Sequence, residues 1–302
     1  MRRIFAPLSP ALPAVAPRRA HSLARSLAVA VTLVVALALG LSLAAPLPAR
    51  AADAGLQPLD TLESGRGWSA VGRLDLDGVG FCTGVLISPS LVLTAAHCLY
   101  ERKSGRRVAP DSIEFLAGLR NGRAEAYRQV RRALVHPDYA FGTGLAVERV
   151  KNDVALLELR QPIRNPGIPP FQTSGRPDVG DEIGIVSYAF DRAEVPALQQ
   201  VCRVMGRQEG VLITTCTVDF GASGAPVFAF GDDGPRIVSI VSAKAEVDGA
   251  RVALGTDLEH PLARLLADMD AGEGHGLSPA PLSNRVTVGD PRRTTGAKFV
   301  KP

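Results

Sequence analysis

Aromatic residues are scarce in this chain: ten Phe, four Tyr and one Trp make up 5% of 302 residues. A core must therefore be packed largely by Val, Leu, Ile and Ala, within a hydrophobic content of 46%. No basic stretch is interleaved with aromatics and no zinc-finger spacing occurs, so a nucleic-acid partner has no motif behind it. The four cysteines (Cys82, Cys98, Cys202, Cys216) contain no CxxC pair and the histidines are not spaced as ligands, which argues against a zinc site. No segment repeats at a fixed period. Acidic residues are missing from residues 1–51, which hold six of the 34 basic ones. The remaining 28 basic residues face 30 acidic ones, so the formal charge of +4 belongs to the N-terminal segment and does not argue for a polyanionic partner.

That segment has the layout of an export signal. Arginines reach to Arg25, an apolar run covers 26–45, and Ala49 and Ala51 suit the small-residue positions of a cleavage site after Ala51. The run is also long enough to remain as a membrane anchor. In either case residues 52–302 lie outside the cytoplasm, because the arginines hold the N-terminal side in. An even, sparse cysteine count in an exported chain reads as two disulfides. Three pairings are possible, and local closure favours Cys82–Cys98 and Cys202–Cys216, each worth roughly 3 kcal/mol in the chain-entropy model.

Gly and Pro are plentiful, at 30 and 23 residues. After a polar lead-in (52–66), strand-length apolar runs occupy 80–89, 91–96, 112–119, 126–135 and 153–159. A Pro/Gly-rich linker covers 161–181, and a second set of runs follows at 182–190, 200–206, 211–218, 225–230, 236–243 and 251–256. This is an all-β pattern of two antiparallel six-stranded β-barrels, one over about 66–160 and the other over about 182–258. One helical pattern, 260–270, places Leu262, Leu265, Leu266 and Met269 at spacings of three and four. The folded domain thus spans 52–270, and the polar remainder, 271–302, reads as a flexible tail.

Three segments carry chemistry: Leu93-Thr94-Ala95-Ala96-His97-Cys98, Asn152-Asp153-Val154-Ala155-Leu156-Leu157 and Gly221-Ala222-Ser223-Gly224-Ala225-Pro226. A serine hydroxyl is a weak nucleophile that needs an imidazole to take its proton. The imidazole in turn needs a buried carboxylate to fix its tautomer. Asp153 opens an apolar run, as that role requires. Glycines around Ser223 allow a sharp turn that aims the N–H groups of Gly221 and Ser223 at one point, an oxyanion hole.

These motifs, in the order His, Asp, Ser, resemble the chymotrypsin/trypsin-like serine peptidases over roughly residues 66–260. The resemblance implies a double β-barrel with the site between the barrels, and a Cys82–Cys98 disulfide beside the catalytic histidine. His136-Pro137-Asp138-Tyr139 and residues 236–242 match more weakly. The acid that the family usually places before the serine is here Ala222, and the Ile-Val-Gly-Gly start near residue 67 is missing. Activation through a newly cut N-terminus is therefore not expected. The short path from Asp153 to Ser223, and Cys216 only seven residues before Ser223, are more similar to the bacterial branch that includes glutamyl endopeptidases. By the same resemblance Thr217 lies at the base of the substrate pocket, with Val241, Ser242 and Lys244 along its side. Val241 stands where glutamyl endopeptidases have a histidine, and Lys244 is read as a solvated rim residue or a site for acidic substrates. Asp219 is read as a brace of the serine loop, with a place facing the pocket as the alternative.

The expectation is a secreted or periplasmic bacterial serine endopeptidase, a monomer that acts on protein or peptide substrates. It needs no metal or cofactor, and it meets a membrane only if the N-terminal segment is retained. The rival is a binding protein that kept the fold and lost activity. An esterase of α/β fold would need long helices and a Gly-x-Ser-x-Gly elbow, and neither is present.

Overall fold

Short runs of Val, Leu and Ile broken by Gly, Asp and Pro turns fold here as antiparallel strands throughout. The structure is a computed structural model and describes residues 55–78, 80–142, 147–247 and 249–276. The strands in chain order are β1 (Leu56–Pro58), β2 (Val71–Leu76), β3 (Phe81–Ser88), β4 (Leu91–Thr94), β5 (Ile113–Ala117), β6 (Ala126–Val135) and β7 (Ala155–Leu159). They continue as β8 (Glu182–Ala189), β9 (Arg192–Gln208), β10 (Val211–Thr214), β11 (Pro226–Gly231), β12 (Gly234–Val247), β13 (Ala250–Asp257) and β14 (His275–Gly276). Two α-helices, α1 (Val147–Lys151) and α2 (Glu259–Asp270), and 3₁₀ turns at Ala96–Leu99 and Pro110–Ser112 complete the described elements.

The strands form two sheets. In the first the order is β6-β5-β2-β3-β4-β7, and β7 pairs back onto β6 to close a six-stranded barrel. In the second the order is β9-β10-β13-β12-β11-β8, and β8 pairs back onto β9. The chymotrypsin-like all-β fold read from the sequence is the fold of the chain. Closure removes the open edges that would otherwise invite aggregation.

The structure corrects the lead-in and the start of the tail. Within 52–66, β1 pairs with β9 of the second barrel, and Leu59 is buried. Beyond α2, β14 pairs with β6. The polarity of both segments hid these pairings. β9 also begins eight residues before the expected 200, through the charged stretch Arg192–Glu194. Residues 1–51, read from the sequence as an export signal, and those from 277 onward lie outside the described residues.

Residues 161–181 run along both barrels. The Ile163 and Phe171 N–H groups donate to Pro89 O and Leu86 O of the first, while Ser174 donates to Ile237 O of the second. The scarce aromatics gather at this seam: Phe228 on β11 lies 5.1 Å from Trp68 and 4.7 Å from Phe171, centroid to centroid. α2 buries Leu262, Leu265 and Met269 against the larger core, and Arg132 on β6 donates to its last turn at Met269 O, 3.0 Å.

Candidate active site

His97 lies on a 3₁₀ turn, Ala96–Leu99, that follows β4. The next residue, Cys98, is bonded to Cys82 on β3, so the turn is stapled to the barrel wall. The Cys202–Cys216 bond lies in the second barrel's core. The disulfides match the locally closed pairs. Cys82, His97 and Cys98 also form a grouping of metal-ligand types, but both sulfurs are consumed in the disulfide.

Asp153 follows α1 and has a side chain only 3% exposed. A buried carboxylate is tolerated only when donors surround it. Asp153 Oδ1 accepts from the His97 backbone N–H at 2.8 Å, and Oδ2 lies 2.6 Å from His97 Nδ1. Oδ2 also accepts from Ser242 Oγ, on β12 of the second barrel, at 2.5 Å. An ionised carboxylate only accepts, so the ring proton sits on Nδ1 and Nε2 is left as the basic nitrogen. Thr256 Oγ1 lies 2.6 Å from Val150 O and holds the turn that presents Asp153. Behind it, burial above all, then the Asp153 charge, pushes the Tyr139 phenol far above its ordinary range, so it stays protonated.

The Ser223 loop is held by its peptide groups. Ala222 N–H donates to Asp219 O at 3.0 Å, and Gly224 N–H to Val241 O at 2.8 Å. The N–H groups of Gly221 and Ser223 meet no acceptor among the described residues. Phe220 O accepts from Phe190 N–H at 2.8 Å. Across a trans peptide the Gly221 N–H then points the opposite way. Both glycines of the loop are required. Gly221 has φ +97° and a Cβ there would lie 2.5 Å from the Phe81 ring; Gly224 has φ +76° and its Cβ would meet Thr94 Oγ1 at 2.1 Å.

His97 and Ser223 line one cavity of about 150 Å³ together with Arg102, Val218, Asp219, Phe220 and residues 241–244. Val241, Ser242 and Lys244, read from the sequence as pocket residues, are among those that line it. Thr217 is not among the lining residues: its Oγ1 accepts from Gln199 Nε2 and its N–H donates to Gln199 Oε1, both at 3.1 Å. Both residues lie in the irregular stretch between β10 and β11, and it is the neighbouring Val218 that lines the cavity. Lys244 is paired with Asp219 at 2.9 Å and lies 4.3 Å from the Phe220 ring centroid. Lys244 and the Phe220 N–H hold the Asp219 carboxyl below its usual range. Arg102 stacks on the same ring at 5.0 Å. Sequence reasoning missed Arg102 and Phe220, and it missed the bond from Ser242 to Asp153. A wider depression of about 790 Å³ between residues 125–128 and 161–165 has no histidine, cysteine or serine in its lining.

The trypsin family model matches residues 63–251, and the chain belongs to the trypsin family. Glutamyl endopeptidase of Bacillus licheniformis is 27% identical over 151 residues, which is 50% of this chain and 46% of that protein. Serine protease SP24D of Anopheles gambiae is 34% identical over 169 residues, 48% of this chain and 57% of that protein. Human kallikrein-10 is 38% identical over 90 residues, 29% and 30% of the two chains. The matched segments thus cover less than two thirds of these relatives' lengths. Among solved structures, a Glu endopeptidase in complex with MPD superposes with TM-score 0.60 at 19% identity, covering 73% of this chain and 98% of the other. That likeness concerns the fold.

Proposed function

We propose that this chain is an exported serine endopeptidase in which Ser223, His97 and Asp153 act as a triad. His97 Nε2 takes the proton of Ser223 Oγ as the oxygen attacks the peptide carbonyl carbon. The resulting oxyanion is held by the N–H groups of Gly221 and Ser223. His97 then gives the proton to the leaving amine, and an acyl-enzyme forms on Ser223. A water molecule, deprotonated by His97, attacks the acyl carbon; the bond to Ser223 Oγ breaks, His97 returns the proton to Oγ, and the acid product leaves. Asp153 keeps the proton on Nδ1 and stabilises the imidazolium. The observation that carries this reading is the buried Asp153 carboxylate gathered by His97 N, His97 Nδ1 and Ser242 Oγ, with Ser223 in the same cavity as His97.

The substrate side of the cavity is Val241, Ser242 and Lys244, with Thr217 behind it. The Lys244 charge is met by Asp219, so Arg102 is the rim cation that meets no carboxylate among the described residues. The substrate is a protein or peptide chain and the enzyme acts outside the cytoplasm as a monomer. The test is incubation of the oxidised protein with a proteome-derived peptide library and identification of new termini by mass spectrometry. New termini that are absent with Ser223→Ala support the reading. A folded wild-type protein that produces none supports the rival, a binding protein on a protease fold.

A further inference from the structure

Oxyanion catalysis needs a loop whose N–H groups are fixed before the reaction, yet this loop contains Gly221, whose backbone rotates easily. Ala222, fully buried, offers no charge with which to anchor it. The anchor comes from the other barrel. Thr83 on β3 is completely buried and uses every polar group it has. Its Oγ1 donates to Gly221 O at 2.9 Å and accepts from Tyr188 N–H at 3.1 Å. Its N–H donates to Ser223 O at 2.9 Å, and its carbonyl accepts from Thr94 Oγ1 at 2.9 Å.

These bonds fix successive peptides of the loop. Phe190 N–H holds the carbonyl of the 220–221 peptide, Thr83 Oγ1 that of 221–222, and Ala225 N–H that of 222–223. Among the described residues, Thr83 provides the side-chain hydrogen bond to the peptide groups of residues 221–223; the other bonds are backbone ones. Without it, the 221–222 peptide keeps only its Ala222 N–H bond, and the torsions of Gly221 are free to turn the adjacent donor away. We infer that Thr83 is a positioning residue for the oxyanion loop, a hydroxyl clamp across the barrels that does the work a charged anchor at position 222 would do. The inference rests on the catalytic reading of Ser223 given above.

The test compares the full oxidised protein with Thr83→Val, Thr83→Ser and Thr94→Val on one cleavable peptide, with a peptide aldehyde as an inhibitor that forms the oxyanion. Thr83→Val is expected to lower kcat by about 10-fold or more, less than the ~10²–10³-fold of an outright lost donor, with KM nearly unchanged. Aldehyde affinity falls by a like factor, and Thr83→Ser restores most of both. Thr94→Val removes a neighbouring buried hydroxyl that bonds the Thr83 carbonyl and packs beside Gly224 but bonds none of the 221–223 peptides, and lowers kcat by less than Thr83→Val does. An unchanged kcat in Thr83→Val overturns the inference, as does an equal loss in Thr94→Val. If Thr83→Val and Thr83→Ala both fail to fold while Thr94→Val folds, the hydroxyl serves the fold and the inference also falls. A wild-type protein that cleaves nothing overturns the catalytic reading itself, before any variant is compared.

Discussion

The two barrels hold their shares of the site by different means. The first has a deep core that includes Phe115, Leu74, Leu86, Leu93 and Leu156, all fully buried. Into its surface it sets a buried charge, Asp153, whose position is dictated by side-chain and backbone donors. The second has a smaller cluster of its own, of Ile, Val, Leu, Ala and its disulfide, while its buried rings Phe228 and Tyr188 pack with the larger core and with Leu116 and Leu119 of the first barrel. It contributes no charge to the proposed triad but a backbone conformation, the Gly221–Gly224 loop, and that loop is held partly by Thr83 of the first barrel. One barrel secures electrostatics and the other secures geometry, and each borrows one hydroxyl from its neighbour: Ser242 for Asp153, Thr83 for Gly221.

The largest expected effect breaks the electrostatic half. Asp153→Asn keeps the shape but allows the wrong ring tautomer, and kcat should fall by about 10⁴-fold, the size known for the trypsin triad. Retention of even a tenth of the activity would mean that His97 is oriented by something else. The conformational half breaks at Gly224. Its φ and the close approach of Thr94 and the Thr83 carbonyl leave no room for a Cβ. Gly224→Ala should cost roughly 1–3 kcal/mol in denaturant unfolding, with activity lost alongside. Full stability there would show that the loop is looser than its bonds imply.

A smaller effect sharpens the role of the rim. Arg102→Ala should lower kcat/KM about threefold for peptides with acidic residues beside the scissile bond, and leave neutral peptides unaltered. Equal loss on both kinds would assign Arg102 to the support of Phe220. The smallest effect lies in the first barrel, away from the site. Burial lowers the pKa of His136, whose Nδ1 accepts from Asp138 N–H at 3.3 Å. The unfolded state then binds the proton first. Stability is full above the ordinary value near 6.5 and declines as pH falls from there toward the lowered folded value. The melting temperature of His136→Gln should drop less between pH 7 and pH 5 than that of the wild type. Parallel curves would show that His136 is not a source of acid sensitivity.

Much of this comparison was legible in the sequence, because closed antiparallel barrels leave alternating apolar runs and turn residues at regular distances. The motifs around His97, Asp153 and Ser223 supplied the three positions that the fold brings together. What stayed hidden depends on pairing over long distances. β1 is too polar and short to read as a strand until β9 lies beside it. The first part of β9 carries Arg192, Glu194 and Pro196, which mask its extended form. Thr83 looks like any strand threonine, since its bond crosses 138 positions of chain to Gly221. Thr217 was placed by counting back from Ser223, and its bonds to Gln199, 18 positions away along the chain, could not be read from that count.

The most direct test of the central account is covalent labelling with a fluorophosphonate, which reacts with serines activated by a neighbouring base. The account predicts one label per molecule, mapped to the peptide that holds Ser223, and none in His97→Ala or Ser223→Ala. A folded wild-type protein that takes no label, or labelling that survives in His97→Ala, would contradict it.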